Sequence, residues 1–335
     1  MGQLRRDPIV GRWVIVNTED PKGPNEFESA KHEYTQKQNC PFCFGHENLT
    51  PPEIDAIRDS GAPNTPGWRV RVVPNKFPAL KIEGELNPEG IGIYDMLNGI
   101  GAHEVIIESP EHEASLADLK VGQIRDVIDM SCRRAVALTG DKRFKFILLF
   151  KNFGVDAGAS LEHGHGQLIA LPMIPKNVYE ELTGAFRYFE FHERCIFCDI
   201  IRQEKQEKLR IVCENDAFIA FCPFASRFPF QVWIIGRQHS PYFCHMSEQQ
   251  KDKLSQILKE VLSRMKTVLH DPSYNFIFHS SPIGIREAES FHWYVEIMPK
   301  LTRVAGFEWG SGFYIIPTPP EDAAKYLRET TLTNT

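Results

Sequence analysis

The chain has 335 residues, a formal net charge of −6 at pH 7 and an isoelectric point of about 6.1. The length allows two domains or one large one, and the acidic balance argues against the basic surface of a nucleic-acid-binding protein. No apolar run approaches the roughly 18 residues that a membrane helix needs, and the N-terminus lacks the apolar core of a signal peptide. We therefore expect a cytoplasmic protein with no membrane or nucleic-acid partner.

The apolar pattern predicts many short strands and three long helices. In chain order, the predicted strands are 9–16, 68–73, 103–108, 144–150, 163–171, 211–214, 217–221, 230–235, 274–279 and 291–297. The predicted helices are 118–138, 176–194 and 247–269, the last with Ser247 as its N-cap. Residues 17–39 are polar and broken by proline and glycine, which predicts a loop.

The two halves of the chain share one order of parts. Each half has a Cys-X-X-Cys pair, a strand that ends near a histidine, a long helix, an apolar strand and a strand carrying a histidine. Residues 103–112 (HEVIIESPEH) align without gaps to residues 230–239 (FQVWIIGRQH). This pattern indicates a duplication, with one repeat over 1–175 and the other over 176–335. The repeats would pack around a pseudo-two-fold axis, and their strands could form one sheet.

Four of the eight cysteines form the two Cys-X-X-Cys pairs. In an unsecreted chain such pairs indicate metal binding or redox chemistry, and the thioredoxin-like context of a redox pair is absent. Two thiolates and two imidazoles suit tetrahedral zinc. The predicted ligands are Cys40, Cys43, His112 and His163 for one ion, and Cys195, Cys198, His239 and His292 for a second. The spacing leaves His46, His103 and His245 as competing donors, and the second pair could instead be buried thiols.

Residues 158–167 (GASLEHGHGQ) carry the most specific pattern in the chain. On a strand, His163, His165 and Gln167 share one face and glycines occupy the other. If His163 binds metal, His165 is held beside it as a neutral imidazole that can attack phosphorus, with its tautomer fixed by a backbone carbonyl. Gln167 can then donate to a phosphate oxygen. The matching strand of the second half offers His292 and Tyr294, so we expect only the first half to be catalytic. The alternative is a core strand with two incidental histidines.

These residues resemble the galactose-1-phosphate uridylyltransferase branch of the histidine-triad superfamily, over nearly the whole chain. The resemblance implies an α+β fold in which two histidine-triad-like repeats, duplicated half-barrels, share a mostly antiparallel sheet with helices packed on it. It also implies a homodimer and a double displacement through a nucleotidyl-histidine at His165, with Gln167 as its phosphate partner. The substrates would be a nucleoside diphosphate sugar and a sugar 1-phosphate or phosphate. By position, the resemblance adds nucleotide or sugar contacts at Asn75, Asn152, Gly158, Ser160, Phe307 and Glu308, the last two in a segment that reaches the partner subunit.

One segment departs from the family pattern. Where family members carry two arginines that grip the incoming sugar phosphate, this chain has Asp20 and Gly23, and Lys22 is the only basic residue left in the segment 19–24. An aspartate cannot replace a bidentate arginine. The primary expectation is a UDP-glucose–hexose-1-phosphate uridylyltransferase. The alternatives are a nucleoside diphosphate sugar phosphorylase of the ADP-glucose type, a hydrolase, and a zinc-stabilised nucleotide-binding protein without turnover.

Overall fold

The structure is a computed structural model that describes residues 2–27, 39–112 and 115–332. Residues 28–38 of the predicted 17–39 loop lie outside this range. The strands are β1 (Gln3–Arg6), β2 (Trp13–Val16), β3 (Asp55–Arg58), β4 (Trp68–Pro74), β5 (Glu89–Ile91), β6 (Tyr94–Met96), β7 (Ala102–Ile107), β8 (Phe146–Phe153), β9 (His165–Leu171), β10 (Ile211–Glu214), β11 (Phe218–Phe221), β12 (Val232–Gly236), β13 (Tyr274–His279), β14 (Tyr294–Pro299) and β15 (Tyr314–Ile316). The helices are α1 (Val121–Thr139), α2 (Lys176–His192), α3 (Ile196–Glu207), α4 (Glu248–Val268), α5 (Gly306–Ser311) and α6 (Pro320–Glu329).

Ten strands form one antiparallel sheet in the order β10-β11-β12-β14-β13-β8-β9-β7-β4-β3. The order on one side of the β13–β8 seam mirrors the order on the other, so each repeat supplies five consecutive strands. At the seam Phe150 lies opposite Ile277, and these two residues hold equivalent positions in the two repeats. The sheet therefore confirms the α+β fold and the predicted single sheet built around a pseudo-two-fold axis.

Helices α1 and α4 contact each other and cover one face of the sheet with a shared apolar core. Helix α4 begins as predicted, because the Ser247 hydroxyl accepts from the amide of Gln250 and the Gln250 side chain accepts from the amide of Ser247. Its buried stripe consists of Leu254, Ile257, Leu258, Val261, Leu262 and Met265. The opposite face carries both Cys-X-X-Cys pairs in separate apolar clusters. Of the described helices, none is long and apolar enough to cross a membrane.

The register corrects the gapless alignment of the repeats. In the first repeat Ile107 pairs with His165, and in the second Ile235 pairs with Tyr294. His165 and Tyr294 each follow a predicted histidine ligand by two residues, so Ile107 corresponds to Ile235 and not to Ile234. Pairing shifted by one residue would move every side chain of the strand to the other face of the sheet. The one-residue gap in the alignment therefore falls after strands β7 and β12, before His112 and His239.

The N-terminal hairpin packs on the second repeat. Only Trp13–Val16 of the predicted 9–16 strand is extended, because the chain turns at Gly11 with φ +73°, and β1 was not predicted. β2 pairs in parallel with β15, and Arg5 forms an ion pair with Glu321 at 2.9 Å. Helix α2 admits the hairpin loop because it carries Gly184, where a Cβ would lie 2.0 Å from the Ile9 carbonyl oxygen.

Candidate active site and metal centres

The first predicted metal set converges in a buried cluster. The ligand atoms of Cys40, Cys43, His112 and His163 all lie within 4.8 Å of one another. The sulfur–Nδ1 distances that define the cluster are 3.2 Å for Cys43–His112, 3.6 Å for Cys40–His163 and 3.7 Å for Cys43–His163. A tetrahedral zinc ion with ordinary bond lengths separates sulfur and nitrogen ligands by about 3.6 Å, so the spacing fits a metal ion.

The far nitrogen of His163 also has a partner typical of a metal ligand. His163 Nε2 lies 2.7 Å from the carbonyl oxygen of Ser109 and donates to it, which leaves the Nδ1 lone pair directed at the sulfurs. His112 Nε2 lies 3.7 Å from a carboxylate oxygen of Glu162. His163 precedes β9 and does not lie on the strand as predicted.

The second set also converges, between α3 and the start of β14. Cys195 caps α3, a helix that the sequence pattern did not predict, and Cys198 lies within its first turn. Cys198 Sγ is 3.5 Å from His239 Nδ1 and 3.7 Å from His292 Nδ1. The Cys195 thiol and the two imidazoles lower the pKa of Cys198, which favours a thiolate. Both Cys2His2 groups can therefore hold a metal ion, and His46, His103 and His245 belong to neither.

His165 lies at the start of β9, 6% exposed, and is not part of the first cluster. Its Nδ1 is 2.8 Å from the carbonyl oxygen of His163, so Nδ1 carries the proton and Nε2 keeps its lone pair. Burial lowers the pKa of His165 to about 4, and the Lys151 ammonium acts in the same direction. The ring is therefore neutral at neutral pH, and Phe42 of the first Cys-X-X-Cys loop packs against it with 5.3 Å between ring centres.

Gln167 is oriented by His103, which the sequence pattern indicated only as a possible metal ligand. The Ala79 amide donates to His103 Nδ1 at 3.2 Å, so the proton lies on Nε2. That nitrogen is 2.8 Å from Gln167 Oε1 and donates to it. The Gln167 amide NH2 is then the group able to donate to a ligand. Periodicity could not reveal this contact, because it depends on the pairing of β7 with β9.

Three of the predicted nucleotide contacts are placed by the strands around His165. Asn75 follows β4, and its Oδ1 accepts from the Phe77 amide at 2.9 Å. Asn152 lies at the end of β8, where its Oδ1 accepts from Asn275 of the second repeat at 2.9 Å. Gly158, with φ +84°, closes the following turn next to the Asn152 amide. Ser160 is exposed in the loop between that turn and β9.

Phe307 and Glu308 lie on a different element, α5, which contacts β15. The Glu308 carboxylate accepts from the Ala305 amide at 2.9 Å and caps the helix, while Phe307 is half exposed. Their predicted contact with a partner subunit stays a prediction. The 19–24 loop is held by its backbone, with the Lys22 amide donating to the Pro317 carbonyl and the Gly23 amide to Glu26.

The second repeat has a charged network where the first has His165 and Gln167. Tyr294 and Glu296 occupy the corresponding positions. The Tyr294 hydroxyl donates to Glu181 at 2.9 Å, and Glu296 accepts from Arg227 at 2.8 and 2.9 Å. His279 stacks on Tyr294 with 4.3 Å between ring centres. A neutral imidazole is therefore confined to the first of these two equivalent positions.

Comparisons with known proteins agree with this geometry. Residues 2–175 match the family model "Galactose-1-phosphate uridyl transferase, N-terminal domain", and residues 181–332 match the corresponding C-terminal domain. The chain is 36% identical to an ADP-glucose phosphorylase of Arabidopsis thaliana, over 99% of this chain and 93% of the relative. It is 29% identical to a galactose-1-phosphate uridylyltransferase of Thermotoga maritima, over 98% and 99%.

A solved structure of similar shape is the Arabidopsis thaliana ADP-glucose phosphorylase with bound ADP-glucose, with a TM-score of 0.83 and 34% identity over 99% of this chain and all of that one. The full-length matches and the shared architecture establish the family of this chain. The chain is an enzyme of the galactose-1-phosphate uridyl transferase family, whose chemistry is nucleotidyl transfer.

Proposed function

We propose that the protein is a nucleoside diphosphate sugar phosphorylase of the ADP-glucose type, acting through a covalent nucleotidyl-histidine at His165. The observation that carries this proposal is the geometry of His165. The ring is neutral and its Nδ1–H is anchored to a backbone carbonyl, so the lone pair is on Nε2. A fixed neutral imidazole of this kind is a competent nucleophile toward phosphorus.

In the first step His165 Nε2 attacks the α-phosphorus of the nucleoside diphosphate sugar. The Nε2–P bond forms while the bond from phosphorus to the bridging oxygen breaks, and sugar 1-phosphate leaves with that oxygen. The Nδ1–H donates to the His163 carbonyl throughout and stabilises the positive charge on the ring. Gln167 donates its amide NH2 to a non-bridging oxygen of the phosphoryl group. In the second step an oxygen of inorganic phosphate attacks the same phosphorus, the Nε2–P bond breaks, and a nucleoside diphosphate leaves.

Two observations favour phosphate over hexose 1-phosphate as the acceptor. The chain resembles the ADP-glucose phosphorylase at 36% identity and the uridylyltransferase at 29%, both over nearly their full lengths. Asp20 and Gly23 also provide no guanidinium for a sugar phosphate. This choice reverses the order in which the sequence motifs alone ranked the two functions.

Both Cys2His2 groups fit zinc, and we assign one zinc ion to each. Four protein ligands close a tetrahedral site, so these ions would stabilise the fold and would not contact substrate. Zinc at the first cluster would hold His163, whose carbonyl in turn orients His165. The predicted homodimer and the boundaries at 175 and 176 stay part of this proposal.

The test is a labelling experiment with nucleotide sugars that carry 32P at the α-phosphorus. ADP-glucose, UDP-glucose and GDP-glucose are mixed with the protein, and the acid-labile protein adduct is counted. We expect an adduct with at least one donor, and none with the His165→Asn variant. The exposed His192 is the matched control, and His192→Ala should form the adduct as the native protein does. An adduct on His165→Asn, or none on the native protein, would refute the covalent mechanism.

The second candidate is the hexose-1-phosphate uridylyltransferase, favoured by the full-length match to the Thermotoga relative. The labelled adduct is isolated and offered phosphate or galactose 1-phosphate. Release of labelled nucleoside diphosphate by phosphate supports the phosphorylase. Release of labelled nucleotide sugar by galactose 1-phosphate alone would establish the transferase in its place.

A further inference from the structure

A buried ion pair lies directly behind the strand that carries His165. Lys151 Nζ is 2.7 Å from a carboxylate oxygen of Glu108, and both side chains are 2% exposed. The same ammonium lies 3.2 Å from the carbonyl oxygen of His165 and donates to it. The pair is located on the helix-covered face of the sheet, while the His165 ring projects from the other face. It borders an apolar cavity of about 20 Å³, lined by residues that include Ile106, Leu149 and Phe276.

The second repeat shows that the fold does not require this pair. By strand register, Lys151 corresponds to Phe278, Glu108 to Gly236 and Gly166 to Val295. Phe278 and Val295 belong to the shared apolar core. Only the repeat with the catalytic-type histidine therefore has charges at these positions.

Gly166 lies beside the pair, and a Cβ at this position would be in ordinary van der Waals contact with a carboxylate oxygen of Glu108, at 3.8 Å. Replacing a buried ion pair by well-packed apolar groups is often neutral or stabilising. The core therefore does not require a charged pair here, and the position of the pair beside His165 suggests another role.

We propose that Lys151, held in place by Glu108, is a positioning residue that fixes the main chain of His165 for attack on phosphorus. This inference rests on the proposed function. The β8–β9 pairing ends at Phe150 and Gln167, so the main chain of His165 lies beyond the last strand pair on that side. Lys151 supplies the His165 carbonyl with a donor there. The residue is then held at two points, at the ring by the His163 carbonyl and at the main chain by Lys151.

The ammonium also contributes to electrostatics. It is the positive charge that faces the start of β9 from behind, and Glu108 is its direct counter-ion. Moving the carboxylate to the Lys151 position would remove the donor from the His165 carbonyl and place a negative charge beside it. The lysine must therefore be at position 151 and the glutamate at position 108, and exchanging the two residues should not preserve the positioning of His165.

The experiment compares variants of the full-length protein. The double variant Lys151→Met with Glu108→Gln removes both charges at nearly constant volume, and Lys151→Arg retains the cation. The exchange variant Lys151→Glu with Glu108→Lys keeps a pair but reverses it. The matched control is Arg134→Met with Glu104→Gln, which removes a side-chain ion pair of 2.8 Å between α1 and β7 at a position opposite Leu168 of β9 and not opposite His165.

The first readout is the single-turnover rate of adduct formation at saturating nucleotide sugar, measured with melting temperature and metal content. For the neutral and exchange variants we expect a rate about 10–100-fold lower, with a half-saturating concentration changed less than about threefold because ligand contacts are intact. Lys151→Arg should recover much of the rate, and the Arg134 control should retain it. A native rate in a folded neutral or exchange variant, or an equal loss in the control, would overturn the inference.

The second readout does not depend on turnover. NMR of protein labelled with 15N-histidine reports the tautomer of His165, whose signals are identified by their loss in His165→Asn. We expect the Nδ1–H form in the native protein and a mixture of tautomers in the neutral variant. An unchanged tautomer together with an unchanged rate would show that the pair is only structural. If the native protein forms no adduct but the tautomer responds as expected, the proposed function fails and the positioning of His165 still holds.

Discussion

Alkaline pH should lower the free energy of unfolding, because His279 in the second repeat loses its proton. His279 is 15% exposed and lies between two carboxylates, with Nδ1 3.3 Å from Glu181 and Nε2 3.0 Å from Glu296. Burial acts to lower the pKa of His279, but these carboxylates outweigh it and raise the pKa to about 9. The other groups that face the cluster are Arg227, which shares the Glu296 carboxylate, and Tyr294, which stacks on the ring.

The size and sign follow from proton linkage. A rise from the ordinary histidine pKa near 6.5 to about 9 corresponds to about 3 kcal/mol of unfolding free energy. Because the folded-state pKa of His279 is the higher one, this stabilisation is fully present below pH 6.5. It is lost as the pH rises through 9, since the folded protein must then release the proton that holds the two carboxylates together.

The assay is urea unfolding followed by tryptophan fluorescence at pH 6.5, 7.5, 8.5 and 9.5. His279→Gln keeps a hydrogen-bonding side chain but cannot be charged, so its unfolding free energy should vary about 3 kcal/mol less over this range than that of the native protein. Glu181→Gln removes one of the two carboxylates and should give an intermediate slope. Equal slopes for the native protein and His279→Gln would refute the assignment of a charged histidine to this network.

Three further predictions concern other parts of the molecule. His103→Phe removes the donor that orients Gln167 and should slow adduct formation about 100-fold, measured by rapid quench. Gly184→Ala sets a methyl group against the Ile9 carbonyl and should cost about 1–3 kcal/mol of stability, measured by melting temperature. His163→Ala should lower the zinc content from two ions per chain to one and destabilise the fold, measured by metal analysis and calorimetry.

Each of these predictions has a matched control. His103→Gln retains a donor and should recover part of the rate, whereas a native rate in His103→Phe would exclude an orienting role. Gly122 lies on α1 with open space around it, so Gly122→Ala should stabilise the protein by about 1 kcal/mol. His292→Ala should also lose one zinc ion but should still form the adduct. Unchanged metal content in His163→Ala would remove it from the ligand set.

The sequence predicted the parts of the fold that depend on local pattern. The apolar stripe and the Ser247 cap located α4, and the run 274–279 matched β13 residue for residue. Helix α3 was missed because its twelve residues carry few apolar positions, and because a Cys-X-X-Cys pair was interpreted only as a metal-binding turn. The 9–16 strand was predicted too long because Gly11 adopts a left-handed turn that the flanking apolar residues conceal.

The residues of the candidate site also divide into those predicted from local sequence pattern and those placed by strand pairing. The convergence of both Cys2His2 groups could be predicted from sequence because cysteine and histidine have few other reasons to occur in that spacing in both halves. The contacts of His103 with Gln167, and of Lys151 with the His165 carbonyl, depend on which strands are neighbours and in which register. That information is absent from any single segment. From sequence, His103 could be recognised only as a possible metal ligand. Its role in orienting Gln167 depends on the tautomer that the Ala79 amide imposes.

The seam at Phe150 and Ile277 has a consequence for how such a chain can originate. Since the two facing strands hold equivalent positions, a free-standing single repeat could dock onto an identical copy of itself edge to edge, strand 146–153 against strand 146–153, with Phe150 at the centre. Gene fusion would then join two subunits whose interface already existed. One copy could keep its nucleophile while the other, relieved of catalysis, accumulated the tyrosine and carboxylates that now tie it to α2.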